Sequence, residues 1–127
     1  MTASATPSPA AEIRMISALT LVTADMATAV TFYQALGMTV RYGGGQARFT
    51  SLQTGDCYVN LAVGNRIEPG AWGRAIFYVD DVDRLYHQIR AAGYATLTAP
   101  ADAPWGERYF HIRDPSGHEL SFARPLR

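Results

Sequence analysis

Arg74, His111 and Glu119 are the residues of this 127-residue chain whose types could do chemistry together. An imidazole or a carboxylate can act as a general base or ligate a metal ion, and an arginine beside either is a permanent cation that can hold an anion. The alternation of apolar residues puts all three on one surface. In 108–113 the apolar pair is Phe110 and Ile112, so Tyr109, His111 and Arg113 point the other way. In 118–123 the buried pair is Leu120 and Phe122, which leaves Glu119 and Ser121 opposite. In 74–79, Ala75, Phe77 and Val79 pack inward, leaving Arg74, Ile76 and Tyr78. The same reading of 57–63 buries Cys57, Val59, Leu61 and Val63 and frees Tyr58, Asn60 and Ala62. In 18–22 it packs Leu19 and Leu21 and frees Ala18, Thr20 and Val22.

The turn DPSG (114–117) then sets the register. A four-residue loop would put Ile112 opposite Glu119 and mix the faces. A three-residue loop, with Asp114 opposite His118, pairs Ile112 with Leu120 and Phe110 with Phe122. Pro in second place and Gly in the left-handed bulge position suit that geometry. It places His111 opposite Ser121 and Arg113 opposite Glu119. His111 can then hydrogen-bond the Ser121 hydroxyl, and Glu119 can pair with Arg113 or Arg74. Other polar clusters have simpler readings. Among Asp80, Asp81 and Asp83, Asp81 is the helix cap and the others suit a helix N-terminus electrostatically. His118 by the turn and His87 on a helix face are expected to be solvated.

These residues sit in a repeated frame. LTLVTADMATAVTFYQALGM (19–38) and AIFYVDDVDRLYHQIRAAGY (75–94) align at an offset of 56, matching Asp25 to Asp81 and Gly37 to Gly93. Each half gives an apolar strand, an N-capping Asp, an amphipathic helix and a Gly after its end. Three short β-like stretches follow, near 39–42, 47–52 and 57–63, and near 95–98, 108–113 and 118–123. Gly55 matches Gly117 at an offset of 62, so the second half carries six extra residues, placed in TAPADAPWGE. The expected organisation is a tail over 1–14 and a single domain over 15–127. Its two βαβββ modules run over about 16–64 and 74–124.

Composition narrows the partners. Formal net charge is zero, and every basic residue is Arg, which argues against nucleic acid or an anionic membrane as the main partner. No apolar run is long enough to cross a bilayer, and MTASATPSPAA lacks the form of a secretory signal. A single cysteine, Cys57, forms no internal disulfide and fits a reducing, cytoplasmic location.

The two modules, with FYQALGM, YVDDVDRLYHQIRAAG and WGERYFHIRDPSGHEL in that order, resemble the vicinal oxygen chelate superfamily of glyoxalase I, bleomycin-resistance proteins and extradiol dioxygenases. The resemblance covers about residues 16–124. It implies an α+β fold, with a curved eight-stranded mixed sheet, helices on the outer face and a ligand cavity on the concave face. It also implies a homodimer with cavities near the module interface. Metal-dependent relatives take ligands at positions that map here to Ala18, Arg74, Ser121 and either Val59 or Asn60. Ala cannot ligate, Arg stays protonated and Ser ligates poorly, so no metal and no other cofactor is expected.

What remains is a polar, aromatic pocket. Arg74, Tyr78, Tyr109, Ser121, Tyr58 and Asn60 are its candidate ligand contacts, with Trp72 and Trp105 on neighbouring loops and His111 and Glu119 as candidate catalytic groups. One reading is a metal-independent binding protein that takes a neutral or anionic small molecule. The alternative is a metal-free isomerase, lyase or hydrolase using His111 or Glu119 as general base. A metal-dependent glyoxalase, dioxygenase or thiol transferase fits the substitutions least.

Overall fold

The computed structural model describes residues 11, 13–65, 67–68 and 71–127. Residues 1–10 and 12, most of the stretch expected as a tail, lie outside the described residues. The first module comprises β1 (Ala18–Thr23), α1 (Met26–Ala35), β2 (Thr39–Tyr42), β3 (Phe49–Thr54) and β4 (Cys57–Val63). The second comprises β5 (Arg74–Tyr78), α2 (Val82–Ala91), β6 (Ala101–Asp102), β7 (Glu107–Arg113) and β8 (Glu119–Pro125). Each module is one mixed four-stranded sheet, in the orders β1-β4-β3-β2 and β5-β8-β7-β6. The pairs β1–β4 and β5–β8 are parallel and the rest antiparallel. Together they form the curved eight-stranded α+β architecture. Helix α1 packs on β3 and β4, and α2 on β7 and β8.

The local signals act as their chemistry requires. The Asp25 carboxylate accepts the Thr28 N–H (3.1 Å) and Asp81 accepts that of Arg84 (3.0 Å), so each caps its helix. Gly37 and Gly93 follow the helix ends at φ 99° and 96°, where a side chain would be strained. The β7–β8 register is the one the turn dictates, pairing Ile112 with Leu120, His111 with Ser121 and Arg113 with Glu119. The Asp114 N–H closes the loop on the His118 carbonyl at 2.8 Å.

Five expectations need correction. Residues 95–98 form no strand. The Thr98 hydroxyl accepts the His111 N–H (3.0 Å), and Leu97 and Thr98 both donate to the His111 carbonyl, so this segment consumes the ladder bonds a strand would use. The short strand falls instead at Ala101–Asp102, after Pro100. Strand β3 runs over 49–54 rather than 47–52, because a two-residue Gly55–Asp56 turn pairs Thr54 with Cys57. Pairing Ala18 with Tyr58 and Arg74 with Glu119 fixes the late offset at 61, so the second module has five extra residues, one of them in its longer last turn. In β4 burial is confined to the middle, with Val59 and Leu61 enclosed, Cys57 half-buried and Val63 exposed.

The fifth correction is His118, which is 2% exposed rather than solvated. The turn carrying it is driven into the first module. Asp114 Oδ1 accepts the N–H groups of Ser116 (2.9 Å) and His118 (2.8 Å), and Oδ2 accepts the buried Tyr33 hydroxyl of α1 (2.7 Å). Ser116 donates to the Thr23 hydroxyl at 2.7 Å. Trp72 Nε1–H donates to His118 Nδ1 (2.8 Å), so the proton of the neutral ring sits on Nε2, which faces the Val22 carbonyl at 2.8 Å. A Cβ on Gly117 would meet the Ile67 carbonyl oxygen at 2.8 Å, so this position needs glycine. One apolar core, from Leu21 and Phe32 to Phe110 and Phe122, runs through both modules.

Asp114→Ala leaves three donors without their partner, two of them backbone groups. We expect it to cost about 2–4 kcal/mol by urea denaturation, against about 1 kcal/mol for Tyr33→Phe, with the double variant less than additive. Burial, then the Asp114 charge, holds the Tyr33 hydroxyl well above the ordinary 10.0. The unfolded chain therefore ionises first, and this stabilisation is full below pH 10 and drains away as pH rises through the folded value. Tyr33→Phe should flatten the alkaline loss of stability.

Candidate functional site

The helix-free face of the second sheet gathers most of the candidate residues. On β5, Arg74, Ile76 and Tyr78 alternate with Ala75 and Phe77, and on β7 Glu107, Tyr109, His111 and Arg113 share one side. Between them runs β8, whose Glu119 and Ser121 lie beside Arg74 and Ile76 on one flank and beside Arg113 and His111 on the other. Arg74 Nη2 reaches Glu119 Oε1 at 3.1 Å, and Arg113 Nη2 stands 3.9 Å from Oε2. The two guanidinium side chains are 43% and 46% exposed, the carboxylate only 20%. Two accessible cations thus share one shielded anion, which leaves this end of the face positive.

His111 Nδ1 is 2.6 Å from Ser121 Oγ, and Ser121 is buried. Partial burial is the main cause holding His111 below the ordinary imidazole value of 6.5. Arg74 adds to the effect and Glu119 opposes it. Its ring is therefore neutral at neutral pH, and free to accept a proton at one nitrogen. From His111 an aromatic row continues through Tyr109 (centroids 5.0 Å apart) to Trp105, stacked on Tyr109 at 5.8 Å and 28°.

The first module repeats the frame with different chemistry. The register equates Asn60 with Ser121 and Ser51 with His111, and the Ser51 hydroxyl donates to Asn60 Oδ1 at 2.7 Å. Asn60 also faces the Thr20 hydroxyl at 3.4 Å. At this position the second module pairs an imidazole with a hydroxyl, and the first pairs a hydroxyl with an amide. A cleft of about 450 Å³ opens between the β1 and β5 sides, lined among others by Ile16, Ala18, Tyr58, Trp72, Arg74 and Tyr78. Asn60, Trp105, Tyr109, His111, Glu119 and Ser121 lie outside that lining, on the open sheet faces and the loop before β7. Trp72 is committed at its nitrogen to His118, so it can offer a ligand only its ring.

A divalent metal does not fit these positions. Ala18 offers no donor atom, the Asn60 amide is bonded to Ser51 and Thr20, Arg74 is a cation, and the Ser121 hydroxyl is on His111. Among the described residues no three His, Cys, Asp or Glu side chains come together as a metal would need. Asp81 caps α2, and Asp83 grips Arg108 through both of its oxygens, at 2.7 and 2.9 Å.

Sequence reasoning missed Glu107 and Thr98. Glu107 was legible, since it shares the odd-numbered alternation of Tyr109, His111 and Arg113. Its carboxylate accepts hydrogen bonds from both Tyr78 and Trp105. Thr98, bonded to the His111 amide, sits in a segment that no periodicity marks.

A duplicated βαβββ unit with polar and aromatic side chains on the face away from its helices defines a two-module domain built to present a concave surface. The chain belongs to the glyoxalase/bleomycin resistance protein/dioxygenase superfamily, whose family model matches residues 15–122. An uncharacterized protein of Mycobacterium tuberculosis is 41% identical over 49 residues, 39% of this chain and 29% of that protein. The chain thus spans under a third of the curated relatives it matches. Among solved structures, a glyoxalase/bleomycin resistance protein/dioxygenase from Nocardioides superposes with a TM-score of 0.74 at 22% identity, covering 93% of this chain and 87% of that one. A bleomycin-binding protein complexed with bleomycin gives 0.70 at 22% identity, covering 88% and 98%. At these identities the likeness is one of fold.

The charges around His111 can be tested directly. Arg74→Gln removes the cation and should raise the pKa of His111, whereas Glu119→Gln should lower it further, both read from the ring resonances by NMR titration. Because the folded value lies below the unfolded one, the associated stability is present above pH 6.5 and is lost as pH falls.

Proposed function

We propose that this protein is a metal-independent small-molecule-binding protein of the glyoxalase/bleomycin-resistance type, taking a neutral or anionic ligand with an aromatic part. The observation that carries the reading is the pairing of two accessible arginines, Arg74 and Arg113, with the single shielded carboxylate of Glu119. A cation would meet net repulsion there, while a carboxylate or enolate could take a guanidinium hydrogen bond without leaving Glu119 unpaired. The row Trp105–Tyr109–His111 supplies flat surface for a ring. Ser121 acts through the imidazole it holds. Tyr58 and Asn60 contribute from the first module.

The second reading, a metal-free isomerase, lyase or hydrolase, draws on the neutral state of His111 beside Arg74. Such a base could accept a proton while the guanidinium stabilises the resulting anion. Glu119, shared between two arginines, is the other candidate base.

The probes are 2-naphthoate and its neutral counterpart 2-naphthamide, titrated by calorimetry. Wild-type protein should prefer the acid. Arg74→Ala should weaken 2-naphthoate by about tenfold and leave 2-naphthamide within about twofold, with the melting temperature little changed. Equal loss of both probes, or a misfolded variant, would make Arg74 a structural ion-pair partner.

We also propose a cytoplasmic homodimer. Ile76, Tyr78, Trp105 and Tyr42 are largely exposed, and a second copy could cover such large side chains. Light scattering at tens of micromolar should return twice the 13.8 kDa chain mass. A monomer at that concentration would refute it.

A further inference from the structure

We propose that Glu107 is a positioning residue that fixes the orientation of Trp105 and Tyr78, so that their rings form a preset platform for a planar ligand. The proposal rests on the binding reading above and names the residue that reading lacks. Tyr78 and Trp105 are 64% and 69% exposed, and rings so exposed ordinarily sample several rotamers. Here each has its only polar hydrogen on the same carboxylate. Trp105 Nε1–H donates to Glu107 Oε1 at 3.0 Å, and the Tyr78 hydroxyl donates to Oε2.

The clamp spans three strands. Tyr78 closes β5, Glu107 opens β7, and both Tyr78 and Tyr109 pair with Ala123 of the intervening β8. Ala123 is small and buried although it belongs to the helix-free face. On its β7 side Tyr109 carries the stacked Trp105. Glu107 thus ties the loop holding Trp105 to β5 as well as to β7. Rings held before binding lose less conformational freedom when a ligand arrives, and the gain appears as affinity. Among the described residues the partners given to this carboxylate are the Trp105 indole on Oε1 and the Tyr78 hydroxyl on Oε2.

The test compares wild type, Glu107→Ala and Glu107→Gln, each ¹⁵N-labelled and titrated with 2-naphthamide, whose neutrality removes any direct effect of the Glu107 charge. A carboxamide can accept from the indole and donate to the phenol oxygen, so Gln should keep the clamp and Ala should lose it. In the free proteins, the Trp105 indole N–H resonance should shift and broaden in Glu107→Ala, be restored in Glu107→Gln, and leave the Trp72 indole, bonded to His118, unmoved. Binding should weaken about five- to tenfold in Glu107→Ala and stay within about twofold in Glu107→Gln. Equal affinity in all three proteins would overturn the positioning role and leave the binding reading standing. If the probe moves neither Trp105 nor any resonance of β5, β7 or β8 in wild type, the binding reading fails and the positioning role fails with it.

Discussion

The Asp114 carboxylate is the joint on which the two-module arrangement depends. It lies in the last turn of the second module, yet one of its oxygens is held by a tyrosine on the first helix of the first module. Its other oxygen organises the turn itself, through the amides of Ser116 and His118. A buried carboxylate is costly unless its lone pairs are filled, and the Tyr33 hydroxyl completes the set that the two amides begin. The same placement puts Ser116 on Thr23 and His118 under Trp72. The joint therefore sets the position of β8, and β8 carries Glu119 and Ser121 into the middle of the candidate site.

That dependence separates what could be read in the sequence from what could not. The face of every site strand was legible, because Phe110, Ile112, Leu120 and Phe122 can be buried together in only one register. The pairs His111–Ser121 and Arg113–Glu119 follow from it. Caps were legible because Asp25 and Asp81 have no better use. His118 shares the parity of Leu120 and Phe122, so alternation pointed to its burial, but its partners Trp72 and Val22 were not legible. The segment 95–98 misled for a related reason: its residues look β-like, but the Thr98 hydroxyl takes a backbone donor that the ladder would need. Long-range contacts of this kind leave no trace in local periodicity.

The duplicated frame also shows how one backbone came to hold two unlike surfaces. Equivalent cross-strand positions are hydrogen-bonded in both modules, as Ser51–Asn60 in one and His111–Ser121 in the other. The geometry of the pair is kept while its acid–base character differs: only one of the two can exchange a proton near neutral pH. Exposed rings occur in both modules, as Tyr42, Phe49 and Tyr58 in the first and Tyr78 and Trp105 in the second, whereas the cluster of Arg74, Arg113 and Glu119 belongs to the second. A ligand meeting both would be read for charge on one side and for hydrogen-bond pattern on the other.

The outer borders of the two sheets carry a further meaning. Strand β2 is kinked by an irregularity between Val40 and Tyr42, and β6 is only two residues long, with Leu97 and Thr98 occupying the β7 carbonyl beyond it. Neither offers a long, flat row of free amides and carbonyls onto which another chain could add a strand. Open-ended polymerisation by strand addition is thereby discouraged at both rims. The protein can expose a broad sheet face for recognition while the β2 and β6 rims resist the addition of further strands.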